Sequence, residues 1–188
     1  TFDKHVDIAD LIRKYLTFKP KGLTPRMFQY NLLKQAQKVK KHIVLPEGTD
    51  ERILLAAARL TVLDIVEITL LGSKRSIEDK IKELGISMNL DKVRIVDPVS
   101  SPQFEDYVNT FYALRKHKNI NMNMANDMMQ DVSFFGTMMV YKGHADGMVS
   151  GAVNTTQHTI RPALQFIKTK PGVSVVSSVF FMCLDDRV

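Results

Sequence analysis

Tryptophan is absent and cysteine occurs once in 188 residues, so no internal disulfide framework can form. The single thiol, Cys183, stands in a strand-like apolar run with no His close in sequence, which reads as a buried structural thiol and not as a nucleophile. Scarce cysteine also fits a reducing cytosol, so a cytoplasmic location is expected. Long apolar runs are lacking too. No uncharged stretch approaches the roughly 20 residues of a membrane helix, and residues 173–184 are too short and too rich in Ser and Val to be one. The opening TFDKHVDIAD is charged, unlike a signal peptide. Two glycine signatures are missing: the Gly-Lys-Ser/Thr of a Walker loop and the G-x-G-x-x-G of a dinucleotide site. His144 and His158 form no ligand spacing with any carboxylate, so no metal is expected.

A broad basic surface is absent as well, although the net charge is +6. Residues 1–46 hold ten Lys or Arg against three Asp, while residues 47–188 hold sixteen against seventeen acidic residues. The body is neutral, and no basic cluster carries interleaved aromatics, which excludes a nucleic-acid partner. The excess in the lead-in reads as a solvated basic helix or as a docking surface for an acidic neighbouring domain.

What is present is a chain 45% hydrophobic and 24% charged, enough for one domain and a fraction. Residues 1–22 read as a connector, with Val6, Ile8, Leu11 and Ile12 on an amphipathic piece and Lys19-Pro-Lys-Gly22 as punctuation. Thr24 then caps a helix with Pro25 at its first position, and Phe28, Leu32, Ala36 and Val39 recur at helical spacing. From there strand and helix alternate. Residues 42–45 form a strand stopped by Pro46, and Asp50 or Thr49 caps a helix through Leu60. Residues 66–71 form the next strand, Ser76 caps a helix with Asp79 in its first turn and Gly85 at its close, and residues 93–96 form a third strand. Helices follow over 102–118, 121–131 and 134–141, the last closed by Gly143. Apolar strands separated by helices predict a parallel sheet covered on both faces.

Residues 146–169 bring strand, small-residue loop and helix into immediate succession. Ser150, Gly151, Asn154, Thr155 and Thr156 place hydroxyls, an amide and free backbone N–H groups at a junction able to hold an anion, and Arg161 adds a planar, permanent cation. Pro162 biases the residue before it away from a relaxed helical conformation, which places Arg161 in the first turn of the following helix, among free N–H groups. Ordinary turn chemistry explains the same composition. Arg115 borders the apolar face made by Phe104, Val108, Phe111 and Leu114, from which it can reach a cleft or lay its stem over apolar surface. Met122, Met124, Met128 and Met129 read as core filling. Glu47, Asp50, Glu51 and Arg52 read either as substrate contacts or as caps and helix-dipole partners.

The segments SGAVNTTQHTIRPALQFIKTKPG, VSSVFFM, YVNTFYALRKHKNI, HIVLPEGTDERILLAAA and TPRMFQYNLL, in their order, resemble the phosphate acetyltransferase (phosphotransacetylase) family across residues 24–188. The family commonly has His where this chain has Asn154, and its catalytic Asp-Leu-Ser-Arg-Gly segment has no counterpart here. The resemblance implies a three-layer α/β/α sandwich with a mostly parallel sheet, like isocitrate dehydrogenase, C-terminally incomplete, with a first domain over 23–174 and a second beginning at 175–188. It implies reversible acetyl transfer between acetyl phosphate and coenzyme A by a longer parent, the 188-residue chain alone being inactive. Arg161, Ser150, Gly151, Thr155 and Thr156 would meet acetyl phosphate or phosphate, and Arg115 coenzyme A. Coenzyme A is a substrate there, with no tightly bound cofactor, and the enzyme is a dimer or higher homo-oligomer. The alternative left open is a non-catalytic module that binds acetyl-CoA or phosphate, as in the phosphotransacetylase-like domains fused to malic enzymes. A longer acyl group is also compatible with these residues.

Overall fold

The computed structural model describes residue 10 and residues 22–184. The expected connector, residues 1–22, lies outside these apart from Asp10 and Gly22. Two compact units divide the chain: residues 36–177, and residues 1–35 with 178–188. Helix α1, Pro25–Lys38, starts as expected, with the Met27 N–H donating to the Thr24 hydroxyl at 3.3 Å, and it buries none of its residues. In the smaller unit the Phe28 and Phe181 rings stand 5.3 Å apart.

The larger unit alternates as the sequence predicts. It runs β1 Lys41–Leu45, α2 Glu51–Leu63, β2 Val66–Leu71, α3 Lys74–Glu83, β3 Val93–Val96, α4 Phe104–Arg115, α5 Met122–Gln130, α6 Val132–Tyr141, β4 Gly147–Met148 and α7 Thr156–Pro162. The Asp50 carboxylate caps α2 by accepting from the Arg52 and Ile53 N–H groups, and Asp64, at φ 53°, closes it one turn beyond the expected Leu60. Leu54, Ala57, Ala58 and Thr61 make its buried stripe at helical spacing. Helix α3 starts earlier than expected. Gly72, at φ +133°, turns the chain directly out of β2, so Ser73 and not Ser76 stands at the N-cap and Asp79 falls outside the first turn.

All strand pairs are parallel, in the order β3-β2-β1-β4. Successive strand residues face opposite sides. Val44 and Leu71 enter the cluster of Phe111, Phe135, Met129 and Met138 from α4, α5 and α6. Leu45, Ile68, Leu70 and Val93 enter the cluster of Leu54, Ala57, Ile77 and Ile81 from α2 and α3. This is the expected three-layer α/β/α arrangement. Each fully buried Leu, Ile or Phe contributes about 1.5–3 kcal/mol of transfer free energy, so the two clusters hold the helices on the sheet. Of the four methionines expected in the core, Met129 is fully buried and Met128 packs against the cluster, whereas Met122 and Met124 are exposed.

Residues 173–184 correct two expectations. They form no strand, and Cys183 is exposed. A strand needs a neighbour to take its ladder of hydrogen bonds, and among the described residues no strand pairs with this run. Val175, Val179, Phe180 and Met182 are all exposed with it. Among the described residues no helix is long and apolar enough to cross a membrane.

Candidate functional site

Strand order reverses between β1 and β4, since β2 and β3 are laid down on one side of β1 and β4 on the other. Such a switch point opens a crevice at the carboxyl ends of the strands, where ligands of open parallel sheets bind. Two segments meet there. Residues 46–50 leave β1, and residues 149–155 leave β4 towards α7.

The meeting is made by one carboxylate. Glu47 is only 7% exposed, and it accepts four backbone N–H groups: Gly151 at 3.0 Å, Ala152 at 2.8 Å, and Val153 and Asn154 at 2.7 Å each. Burial pushes this carboxyl up, but the bonds from Asn154, Val153, Ala152 and Gly151 together outweigh burial and hold it below the ordinary glutamate range. The Arg52 guanidinium, paired with Asp50 at 3.0 Å, also donates to the Ala152 carbonyl. Asn154 donates from Nδ2 to the Ser133 hydroxyl at 3.2 Å. The loop amides expected to be free for an outside anion are therefore occupied by the chain's own Glu47.

Helix α7 opens on Thr155, whose hydroxyl accepts the His158 N–H at 3.2 Å. His158 Nε2 pairs in turn with Asp131 at 2.9 Å, and Asp131 caps α6. Pro162 lacks an N–H, and the ladder adjusts around it: the Ala163 N–H goes back three residues to the Ile160 carbonyl. A π-turn follows over Ala163–Ile167, closed by the Lys168 N–H on the Ala163 carbonyl at 2.9 Å. Phe166, 3% exposed, anchors this turn edge-on against Phe111 and Tyr141 at 5.7 and 5.9 Å.

Arg161 is consequently in the last turn of α7. The expectation that Pro162 marks the start of a helix, with Arg161 among free N–H groups, is corrected. Thr155 supplies the cap six residues earlier, and the proline is accommodated inside by the π-turn.

Arg161 lines a cleft of about 460 Å³ together with Arg115, Thr156, Gln157, Ile160, Leu164 and Gln165. Arg115, half-buried in the last turn of α4, donates from Nη1 to the Gln165 carbonyl at 3.3 Å, while its Nε is buried without a partner. Of the six residues singled out from sequence, Arg115, Arg161 and Thr156 share this cleft. Ser150, Gly151 and Thr155 stand outside its lining: the Ser150 hydroxyl is buried and unpartnered, the Gly151 N–H is on Glu47, and Thr155 caps α7. Gln157, Gln165, Ile160 and Leu164 are lining residues that sequence reasoning missed, since only the turns of α7 and its π extension bring them together. Two guanidinium groups, two amides, a hydroxyl and two apolar side chains suit an extended anionic ligand with aliphatic parts. Among the described residues no cluster of His, Cys, Asp or Glu could hold a metal ion.

Comparison with known proteins agrees with this architecture. The chain is 54% identical over 187 residues to the phosphate acetyltransferase of Synechocystis sp., covering 100% of this chain and 27% of that protein. It is 52% identical over 187 residues to that of Nitratidesulfovibrio vulgaris, covering 100% and 26%. A solved phosphotransacetylase from Streptococcus pyogenes superposes with a TM-score of 0.70 at 39% identity, over 78% of this chain and 44% of that one. The EutD phosphotransacetylase of Staphylococcus aureus gives 0.69 at 41% identity, over 77% and 43%. The chain thus spans about a quarter of the length of the first two relatives and under half of the solved ones. The profile of the family described as phosphate acetyl/butaryl transferase matches residues 27–188, and the chain belongs to that family.

Proposed function

We propose that the protein containing this chain is a phosphate acetyltransferase, moving an acetyl group reversibly between acetyl phosphate and coenzyme A, and that this chain supplies substrate-binding residues. The observation that carries the proposal is the convergence of Arg115 and Arg161 on one cleft. Thiol attack on the acyl carbonyl expels phosphate, so the site must hold an acyl phosphate by its charge and a phosphorylated coenzyme beside it. Arg161 and Thr156 take the acyl phosphate, and Arg115, already committed on one side to the Gln165 carbonyl, presents its remaining terminal Nη donors to coenzyme A. Ile160 and Leu164 pack against aliphatic parts of the ligands. By family resemblance the base and the Ser-Arg element that complete the chemistry come from sequence beyond Val188. Residues 175–188 then begin a second domain, with the site between two domains of a cytoplasmic homo-oligomer that uses no tightly bound cofactor.

The relatives named above are called acetyltransferases, which favours an enzyme over a binding module. The test is thiol consumption with acetyl phosphate and coenzyme A. The longer protein turns over, and the 188-residue chain alone does not. A longer protein that binds acetyl-CoA without turnover refutes the proposal.

A further inference from the structure

Glu47 enters no step of the chemistry above, yet it is a buried carboxylate holding more main-chain donors than any other side chain among the described residues. Four consecutive N–H groups, from 151 to 154, converge on its two oxygens at 2.7–3.0 Å, two on each. Consecutive amides curved in this way form an anion seat. The seat is filled from within, by a residue just past β1, on the other side of the topological switch. Thr155, which caps α7, follows the last of those amides directly, and Thr156 and Arg161 lie on α7 itself. Holding residues 151–154 therefore fixes where α7 begins, and with it Thr156 and Arg161, which line the cleft.

We propose that Glu47 is a positioning residue for acyl phosphate binding: its carboxylate, as a built-in internal anion, sets the loop after β4 and thereby the placement of Thr156 and Arg161. The inference rests on the reading of the cleft given under Proposed function. It differs from the expectation raised by the sequence, in which the same loop receives the substrate's phosphate. Here the phosphate meets side chains of α7, and the amides serve to place them. A neutral amide cannot replace the carboxylate, since glutamine keeps a single acceptor oxygen and turns an NH₂ donor toward two N–H groups. Aspartate keeps the charge and both oxygens but withdraws them by one methylene.

The experiment uses the longer enzyme with Glu47→Gln, Glu47→Asp, Arg161→Ala and the Glu47→Gln/Arg161→Ala double variant. Michaelis constants and kcat are measured together with amide hydrogen exchange of the peptide covering 151–154. Glu47→Gln is expected to raise KM for acetyl phosphate about tenfold or more while kcat changes less than about threefold, to lose protection of the loop amides, and to add less than its full effect on top of Arg161→Ala. Glu47→Asp should fall between wild type and Gln, and it decides the matter should Gln fail to fold. An unchanged KM in a variant whose loop amides have lost protection overturns the proposal, as does a collapse of kcat at constant KM, which would place Glu47 on the reacting atoms. If Arg161→Ala itself leaves KM unchanged, it is the reading of the cleft that fails; if Arg161→Ala raises KM and neither Glu47 variant does, only the positioning role fails.

Discussion

Gly48→Ala tests how tightly the segment after β1 is built. A Cβ at residue 48 would stand 2.5 Å from the Leu71 carbonyl oxygen and 2.8 Å from Ile77 Cδ1. Ordinary carbon-to-oxygen contacts begin near about 3.3 Å, so the segment must withdraw from β2 by about 0.8 Å, because a strand carbonyl yields little. Ile77 is fully buried and closely packed, so it offers no room either. Overpacking of this kind costs about 1–3 kcal/mol. The displacement reaches Glu47, the adjacent residue, whose bonds to the loop of 2.7–3.0 Å would stretch past the useful range. Denaturant unfolding followed by circular dichroism should show the loss of stability, and hydrogen exchange should show faster opening of residues 151–154. A change below about 0.5 kcal/mol with the loop still protected would mean that the segment has room for the added methyl, since that is the range of an indifferent surface substitution.

Other outcomes follow from single groups. Arg115→Ala in the longer enzyme should raise KM for coenzyme A more than KM for acetyl phosphate; equal or absent effects would mean that its bond to Gln165 is its whole role. Burial, reinforced by the negative charge of Asp106, pushes the Tyr107 phenol up to about 12 from an ordinary 10.0. The fold thus favours the protonated form, and this contribution is intact below pH 10.0 and lost as pH rises through about 12. By that shift it amounts to roughly a few kcal/mol at most, and absorbance titration against Tyr107→Phe should show Tyr107 still un-ionised at pH 10.0. Ionisation of Tyr107 at or below pH 10.0 would contradict it. Glu47 runs in the opposite sense. Its carboxyl is held below the ordinary value of 4.5, so protection of residues 151–154 should persist as pH falls to that value and disappear only beneath it; loss of protection above pH 4.5 would contradict the assignment.

Local chemistry was legible in the sequence wherever one short segment decides the outcome. Thr24 before Pro25, Asp50 before an apolar helix and the alternating strands all folded as read, because caps and periodicity act over a few residues. Pro162 misled because a proline fits either a first helical turn or an interior relieved by a π-turn, and only the Thr155 cap and the packing of Phe166 choose between them. The anion seat was half legible. Its small residues and turn chemistry marked residues 150–156, but its occupant lies 104–107 residues away in sequence, and strand order alone brings Glu47 to it. Cys183 failed for the converse reason: an apolar run becomes a buried strand only where a neighbouring strand receives it.

In the proposed function, Arg161 grips the phosphate of acetyl phosphate from the cleft it shares with Arg115. Charge-assisted hydrogen bonds contribute about 1.5–3 kcal/mol, which corresponds to about 10- to 150-fold in affinity. The direct measurement is KM for acetyl phosphate, with inhibition by inorganic phosphate, for Arg161→Ala and Arg161→Lys in the longer enzyme. Both constants should rise by that factor for Ala and recover only partly for Lys, which keeps the charge and loses the planar fork. Full recovery by Lys would contradict bidentate recognition, and unchanged constants for Ala would contradict the site itself.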